Sequence, residues 1–249
     1  EGKCYTVAKF IPDLQGEQVM LEGAEKTALT ENVTKAEMDP WVLLSHKRAA
    51  QAAKEGILSD IQLSIEGSRK DEGIRPSMSQ RLLDRLPYIL PGGKVITAAN
   101  ACLMHDGAAF VVLCSEKYRK AHKLSPQAAF RFGTSIGSDP FMSPKTAVLA
   151  IRKLFKQTGL SIDEIDSLEV NEAFAVIDVL LEQEFPGIRD RLNPLGGALA
   201  YGHPYGASGA IILLHLLKNL QVNKGRFGIC GVAAAGGIGT SLLVERVKA

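Results

Sequence analysis

The chain has 249 residues, 46% hydrophobic and 22% charged, and its 29 Lys and Arg against 27 Asp and Glu leave a net charge of +2. This length builds one large domain or two smaller ones around a substantial core, with the balance of an ordinary globular protein. No basic tract points to nucleic acid, no uncharged apolar stretch reaches the roughly 18 residues of a membrane span, and no charged-then-apolar signal pattern opens the chain.

Residues 1–40 carry weak signals, with turn residues mixed among short apolar pieces. From Asp39 the pattern firms. "DPWVLLSHKRAAQAAKEG" predicts a helix with Asp39 as N-cap, Pro40 in the first helical position and Gly56 as the stop. "SRKDEGIRPSMS" is loop-like, and "MSQRLLDRL" predicts a short helix ending before Pro87. "KVITAANACLMHDGAAFVVLC" predicts a strand, a turn at His105–Gly107 and a second strand, "AAFVVLC", whose unbroken apolar run implies burial on both faces. Strands near 127–137, 166–170, 226–233 and 238–246 then alternate with helices over 145–158, 174–184 and 207–220. That alternation predicts an α/β layer structure with a mostly parallel sheet.

Cys4, Cys102, Cys114 and Cys230 are widely spaced, with no CxxC and no histidine-rich companion. The spacing argues against a disulfide framework or a zinc site, so no metal is expected, and it points to a reducing cytoplasm. The chain opens on Glu1 rather than Met, which raises the expectation of residues ahead of it in the natural protein.

Three blocks carry residues suited to chemistry. In "NPLGGALAYGHPYGASGA", 193–210, His203 stands between Gly202 and Pro204, with a free backbone before it and a fixed one after. Its spacing matches no phosphate-binding glycine loop. The imidazole is either an acid–base or activating group or a turn histidine bonded to its neighbours. In "EVNEAFAV", 169–176, Asn171 ends a buried strand where open α/β sheets place ligands, and it either orients a water or oxyanion or caps the next helix. Phe174 is placed to wall an acyl pocket. The small residues 231–239 form either an oxyanion-binding turn or simply a tight hairpin.

Together these blocks resemble the C-terminal half of the thiolases, whose signatures read roughly "NEAFA", "N-x-x-GG-A-x-A-x-GHP-x-GASGA" and "C-x-GGG-x-G". The first two stand here as 171–175 and 193–210. Upstream, "SHKRAAQA", "DEGIRP" and "PGGKVITAANACLMHDGAAFVV" are similar to thiolase segments, so the resemblance runs from about Met20 to the C-terminus.

The resemblance implies an α/β fold in layered α-β-α-β-α form, with a mixed five-stranded sheet in the C-terminal core half and an incomplete N-terminal half and loop domain. Residues 1–92 would be a loop-domain remnant, 93–120 the last strands of the N-terminal core half and 121–249 the C-terminal core half. It further implies acyl transfer between coenzyme A thioesters through an acyl-cysteine, with no covalently bound cofactor. His203 would activate the cysteine, because a thiolate is the useful nucleophile, and Asn171 would position a water. Met20, Phe174, Asn100, Cys102 and Gly206 would line the acyl and coenzyme A channel, and the Ala235 backbone would help form the oxyanion site.

The sequence departs from the family pattern in three ways. No cysteine has the neighbourhood of the family's nucleophile, and by length about a third of a thiolase precedes this chain. The second signature cysteine is replaced by Ala233, and Cys230 lies three residues earlier on the opposite strand face. "NASG" has become "NACL" at 100–103. From these departures we expect the N-terminal half to come from elsewhere in the same protein or from a second polypeptide, because "AAFVVLC" otherwise lacks neighbours. The partners expected from the resemblance are acyl-CoA and further copies of the chain in a homodimer or homotetramer. The functional expectation is a thiolase-type acyltransferase whose cysteine lies outside these residues, and the alternative is an inactive subunit that binds acyl-CoA or a partner protein.

Overall fold

The computed structural model describes residues 19–247 except Arg69. Two helices open the described chain, α1 (Val19–Thr30) and α2 (Lys35–Glu55). The sequence gives α1 only a faint signature, so the helix was not expected. α2 starts ahead of the expected Asp39, because a capping box forms upstream. Thr34 Oγ1 accepts from Glu37 N at 3.3 Å, and the Glu37 carboxylate accepts from Thr34 N at 2.8 Å. Asp39 is instead buried, accepting from Lys35 Nζ at 2.6 Å and Gln80 Nε2 at 2.9 Å. Gly56 ends α2 as expected, with φ 65°. The short helix α3 (Gln80–Leu83) precedes Pro87, and α4 (Glu116–Ala121) follows the apolar run 108–114.

The remainder is a four-stranded mixed sheet of β1 (Ala128–Gly137), β2 (Ser167–Val170), β3 (Phe227–Ala234) and β4 (Ile238–Arg246), in spatial order β1-β4-β3-β2. β1 and β3 both run antiparallel to β4, and only β2 and β3 are parallel, so the sheet is mixed rather than mostly parallel. The carboxyl-terminal hairpin imposes the antiparallel pairing of β3 with β4, since a three-residue turn cannot return a strand parallel. The fifth strand implied by the resemblance is reduced to a single bridge, with Leu168 N donating to Arg191 O and Asn193 N to Leu168 O, both at 2.8 Å. Pro194 follows at once and supplies no N–H to extend the ladder.

Helices cover both faces. α5 (Thr146–Thr158) buries Ala147, Ala150, Ile151 and Leu154 at helical spacing and stops at Gly159, φ 74°. α6 (Val176–Glu184) packs on the same side. α8 (Ser208–Val222) lies on the other face, where Leu216 and Leu220 fill the space left by Gly228. β3 separates the two cores. Ile229 belongs to the α5 side, while Cys230 packs with Ile212, Leu213 and Leu216 on the α8 side. Each fully buried Leu or Ile contributes about 1.5–3 kcal/mol by leaving water.

Residues 94–114 differ from the expected pair of strands. Only isolated bridges form there, Tyr88 with Thr97, Ala101 with Phe174 and Met104 with His203. The run 108–114 forms no strand, and Phe110, Val112 and Leu113 are exposed rather than doubly buried. A strand exists only where a partner accepts its backbone bonds, and none among the described residues lies alongside this run. No helix among the described residues is long and apolar enough to cross a membrane.

Candidate active site

The parallel strand β2 delivers Asn171 to its carboxyl end, where Asn171 N donates to Gly231 O at 2.9 Å. The side chain is buried and does not cap a helix; α6 begins at Val176 and has Ala175 in the cap position. Its Nδ2 instead faces His203 Nε2 at 3.3 Å.

His203 is set by the glycine segment. The short helix α7 (Ala198–Tyr201) ends at Gly202, whose φ of 85° turns the chain and whose missing Cβ makes room for the His105 ring. His203 N then donates to Leu103 O at 2.8 Å. Ser208, at the start of α8, donates its Oγ–H to Pro204 O at 3.0 Å and accepts His203 Nδ1–H at 2.6 Å. With Nδ1 carrying the proton, Nε2 keeps its lone pair toward Asn171 and the site. Burial lowers the His203 pKa below the ordinary 6.5, which keeps the imidazole neutral and able to accept a proton. Ser208 is the neighbour that a turn histidine requires. Asn171 is remote in sequence, and its approach is what a turn alone does not call for.

The remaining expected site residues divide. Phe174 is buried beside Ala101, where Cys102 N donates to Ala173 O and Ala175 N to Asn100 O, both at 2.9 Å. The Cys102 backbone is thereby held against Ala173; burial, with Glu172 nearby, pushes its thiol up to about 12, so it stays protonated. The Asn100 amide is fully buried and committed to its own loop, accepting from Thr97 N and donating to Val95 O, each at 2.8 Å. Gly206 is exposed with open space around it. Met20 sits half-buried on α1 against the main core. Ala235 opens the turn of the β3–β4 hairpin, ahead of Gly236 and Gly237 with φ 80° and 74°. Within that turn Gly237 N donates to Ser143 Oγ at 3.1 Å.

Among the described residues no cysteine sulfur lies within hydrogen-bonding reach of His203. Cys114 is exposed, and Cys230 is buried on the α8 side with its thiol pushed up by burial. Ala233 packs toward the opposite core, as strand alternation requires.

Two features were missed. Ser208 was legible only as a small residue of "GASGA", although it fixes the His203 tautomer. The second is a buried acid cluster. Burial raises Glu169 and Asp178, and raises Glu172 to about 7. Among the described residues, both Asp178 oxygens and Glu169 Oε1 find no hydrogen-bond partner. Glu172 stands inside the "NEAFA" block without a role assigned to it, and nothing in the local pattern marks Glu169 or Asp178 as buried.

A mixed α/β sheet with a histidine–asparagine pair at the carboxyl end of its parallel strand places the site where open sheets of this class bind ligands. The chain belongs to the thiolase family: the thiolase N-terminal domain model matches residues 4–117 and the C-terminal domain model residues 124–246. It is 34% identical to a steroid 3-ketoacyl-CoA thiolase of Mycobacterium tuberculosis, covering 90% of this chain and 56% of that protein. It is 33% identical to the 3-oxoadipyl-CoA/3-oxo-5,6-dehydrosuberyl-CoA thiolase of Escherichia coli, covering 96% and 63%. The fold is similar to that of the Bacillus anthracis acetyl-CoA acetyltransferase, with TM-score 0.85 and 32% identity over 92% of this chain and 60% of that one. It is equally similar to the human mitochondrial 3-ketoacyl-CoA thiolase in complex with CoA, with TM-score 0.85 and 30% identity over 92% and 59%. The chain thus spans about three fifths of the length of these relatives. The match of the N-terminal domain model corrects the expectation that the N-terminal half is missing, because a substantial part of that domain's sequence lies within residues 4–117.

Proposed function

We propose that this chain carries the histidine–asparagine half of a thiolase-type acyl-CoA acyltransferase, whose acyl-accepting cysteine lies outside these 249 residues. The observation that carries the reading is the pair of contacts on one ring: Ser208 holds Nδ1 at 2.6 Å and Asn171 meets Nε2 at 3.3 Å. Such a base takes the thiol proton at Nε2 while the sulfur attacks the thioester carbonyl. The bond to the coenzyme A sulfur breaks, and the imidazolium returns its proton to the departing thiolate. The relatives' names support a coenzyme A thioester as substrate, with no separate cofactor. Phe174, Cys102, Gly206 and Met20 are proposed to line its path, with the Ala235 backbone near the thioester oxygen. Asn100 is proposed to act there only by shaping the loop that carries Cys102.

We propose the division into 1–92, 93–120 and 121–249 as functional units. The exposed Phe110, Val112 and Leu113 support assembly into a homodimer or homotetramer. The free thiols of Cys102, Cys114 and Cys230 support a cytoplasmic setting, and the relatives' substrates support a place in fatty-acid or related acyl-CoA metabolism. One observation favours a second reading, an inactive acyl-CoA-binding subunit: Ala233 occupies the position of the family's second cysteine. Turnover of acetoacetyl-CoA plus CoA by the natural full-length protein separates the two. Release of acetyl-CoA supports the enzyme, and binding without release supports the inactive subunit.

A further inference from the structure

Three distant segments meet at one buried carboxylate. Ser45, in the middle of α2, donates its Oγ–H to Glu172 Oε2 at 2.5 Å. The same Glu172 oxygen accepts from Leu199 N at 3.1 Å, and Ser45 Oγ accepts from Gly197 N at 3.0 Å. Ser45 and Glu172 are both almost wholly buried. Gly197 and Leu199 bracket the start of α7, which leads through Gly202 into His203, and Glu172 adjoins Asn171. The contact allows no slack. A Cβ at Gly197 would fall on the Glu172 carboxylate, and one at Gly196 would lie 2.8 Å from Ala49 Cβ and Ser45 O.

We propose that Ser45 and Glu172 form a positioning device: together they lock the 197–203 segment against α2 and so set the His203 ring relative to the Asn171 amide, without touching substrate themselves. The functional meaning rests on the reading of His203 as the base of a thiolase-type site. A hydroxyl shared between a carboxylate and a backbone amide is directional, so losing either member leaves a buried donor or acceptor unpaired and frees the segment to shift.

The test reads the His203 ring directly, by the NMR titration of its Cε1–H resonance in the free protein, assigned by its loss in His203→Gln. Ser45→Ala and Glu172→Gln are each expected to move the resonance and to raise the His203 pKa toward the ordinary value as water gains access. The double variant should add little to either single change, because both break one network. Thr27→Ala serves as control. It removes a buried hydroxyl bonded to Gly23 O at 2.7 Å on α1, and it should lower the melting temperature without moving His203. If Ser45→Ala and Glu172→Gln lower the melting temperature and leave His203 where it was, the pair only holds the fold and the proposal fails. Failure of both variants to fold overturns it as well. Wild-type protein that does not bind acetyl-CoA would sink the proposed function while leaving this ring measurement standing.

Discussion

Asn171 and His203 meet through Nδ2 and Nε2 at 3.3 Å, one brought by the end of a buried strand and the other by a glycine-turned segment. Replacing either removes a different part of the proposed chemistry. His203→Ala should lower the rate of acyl transfer in the full-length protein by roughly a hundred- to ten-thousand-fold, the span of general acid–base contributions. Asn171→Ala should act mainly on kcat and leave acetyl-CoA affinity nearly unchanged, which steady-state kinetics would show.

Ser208 holds the proton on Nδ1. Ser208→Ala leaves that N–H without its partner, so Nε2 no longer stays reliably unprotonated. The expected result is a loss of roughly 1 kcal/mol in stability, with a rate loss smaller than that of His203→Ala. Denaturant unfolding and turnover measured on the same preparation check both.

The buried acids give stability an unusual pH dependence. Glu172 titrates at about 7 in the folded chain against 4.5 ordinarily, so the folded state binds its proton more tightly. The stability this contributes is full below 4.5 and is lost as pH rises through about 7. His215 runs the other way. Burial lowers it from 6.5 to about 4, so its contribution is full above 6.5 and is lost as pH falls toward 4. Glu172→Gln should therefore flatten the alkaline-side decline in melting temperature, by an amount worth at most roughly 3 kcal/mol, and leave the acid-side decline in place. An unchanged alkaline limb would show that Glu172 does not carry it.

Gly196 and Gly187 separate strain from collision. Both have positive φ, 90° and 84°, but only Gly196 faces α2 closely, whereas Gly187 faces open space. Gly196→Ala should cost at least about 2 kcal/mol, since strain and overpacking add, and Gly187→Ala should cost less. Chemical denaturation of the two variants side by side decides this.

The sequence revealed most where a local rule and the tertiary context agree. The stop at Gly56, the four strands of the carboxyl-terminal sheet and the helices α5, α6 and α8 all follow from periodicity and caps. The start of α2 went astray because Asp39 and Pro40 imitate a helix start, while the working cap, Thr34 with Glu37, lay in a stretch without periodicity. The run 108–114 was misjudged because an apolar sequence reports a capacity to be buried, and burial needs a partner strand that the described residues do not supply. At the site, residues 171 and 203 were legible, and the resemblance put both in one oxyanion site, although not in direct contact with each other. Nor were Ser208 and Ser45 legible as their supports. Ser208 lies close to His203 in sequence but read as one more small residue of the glycine segment. The contacts of Ser45 with Glu172 and Gly197 join distant segments and leave no local periodicity.

The central claim is that His203 serves a cysteine that carries an acyl group. Its most direct test is intact-protein mass spectrometry of the full-length protein after brief exposure to acetyl-CoA. The account predicts one added acetyl group, mapped to a cysteine outside these 249 residues, which disappears in His203→Ala. An unmodified wild-type protein that still binds acetyl-CoA, or an adduct that persists in His203→Ala, would contradict it.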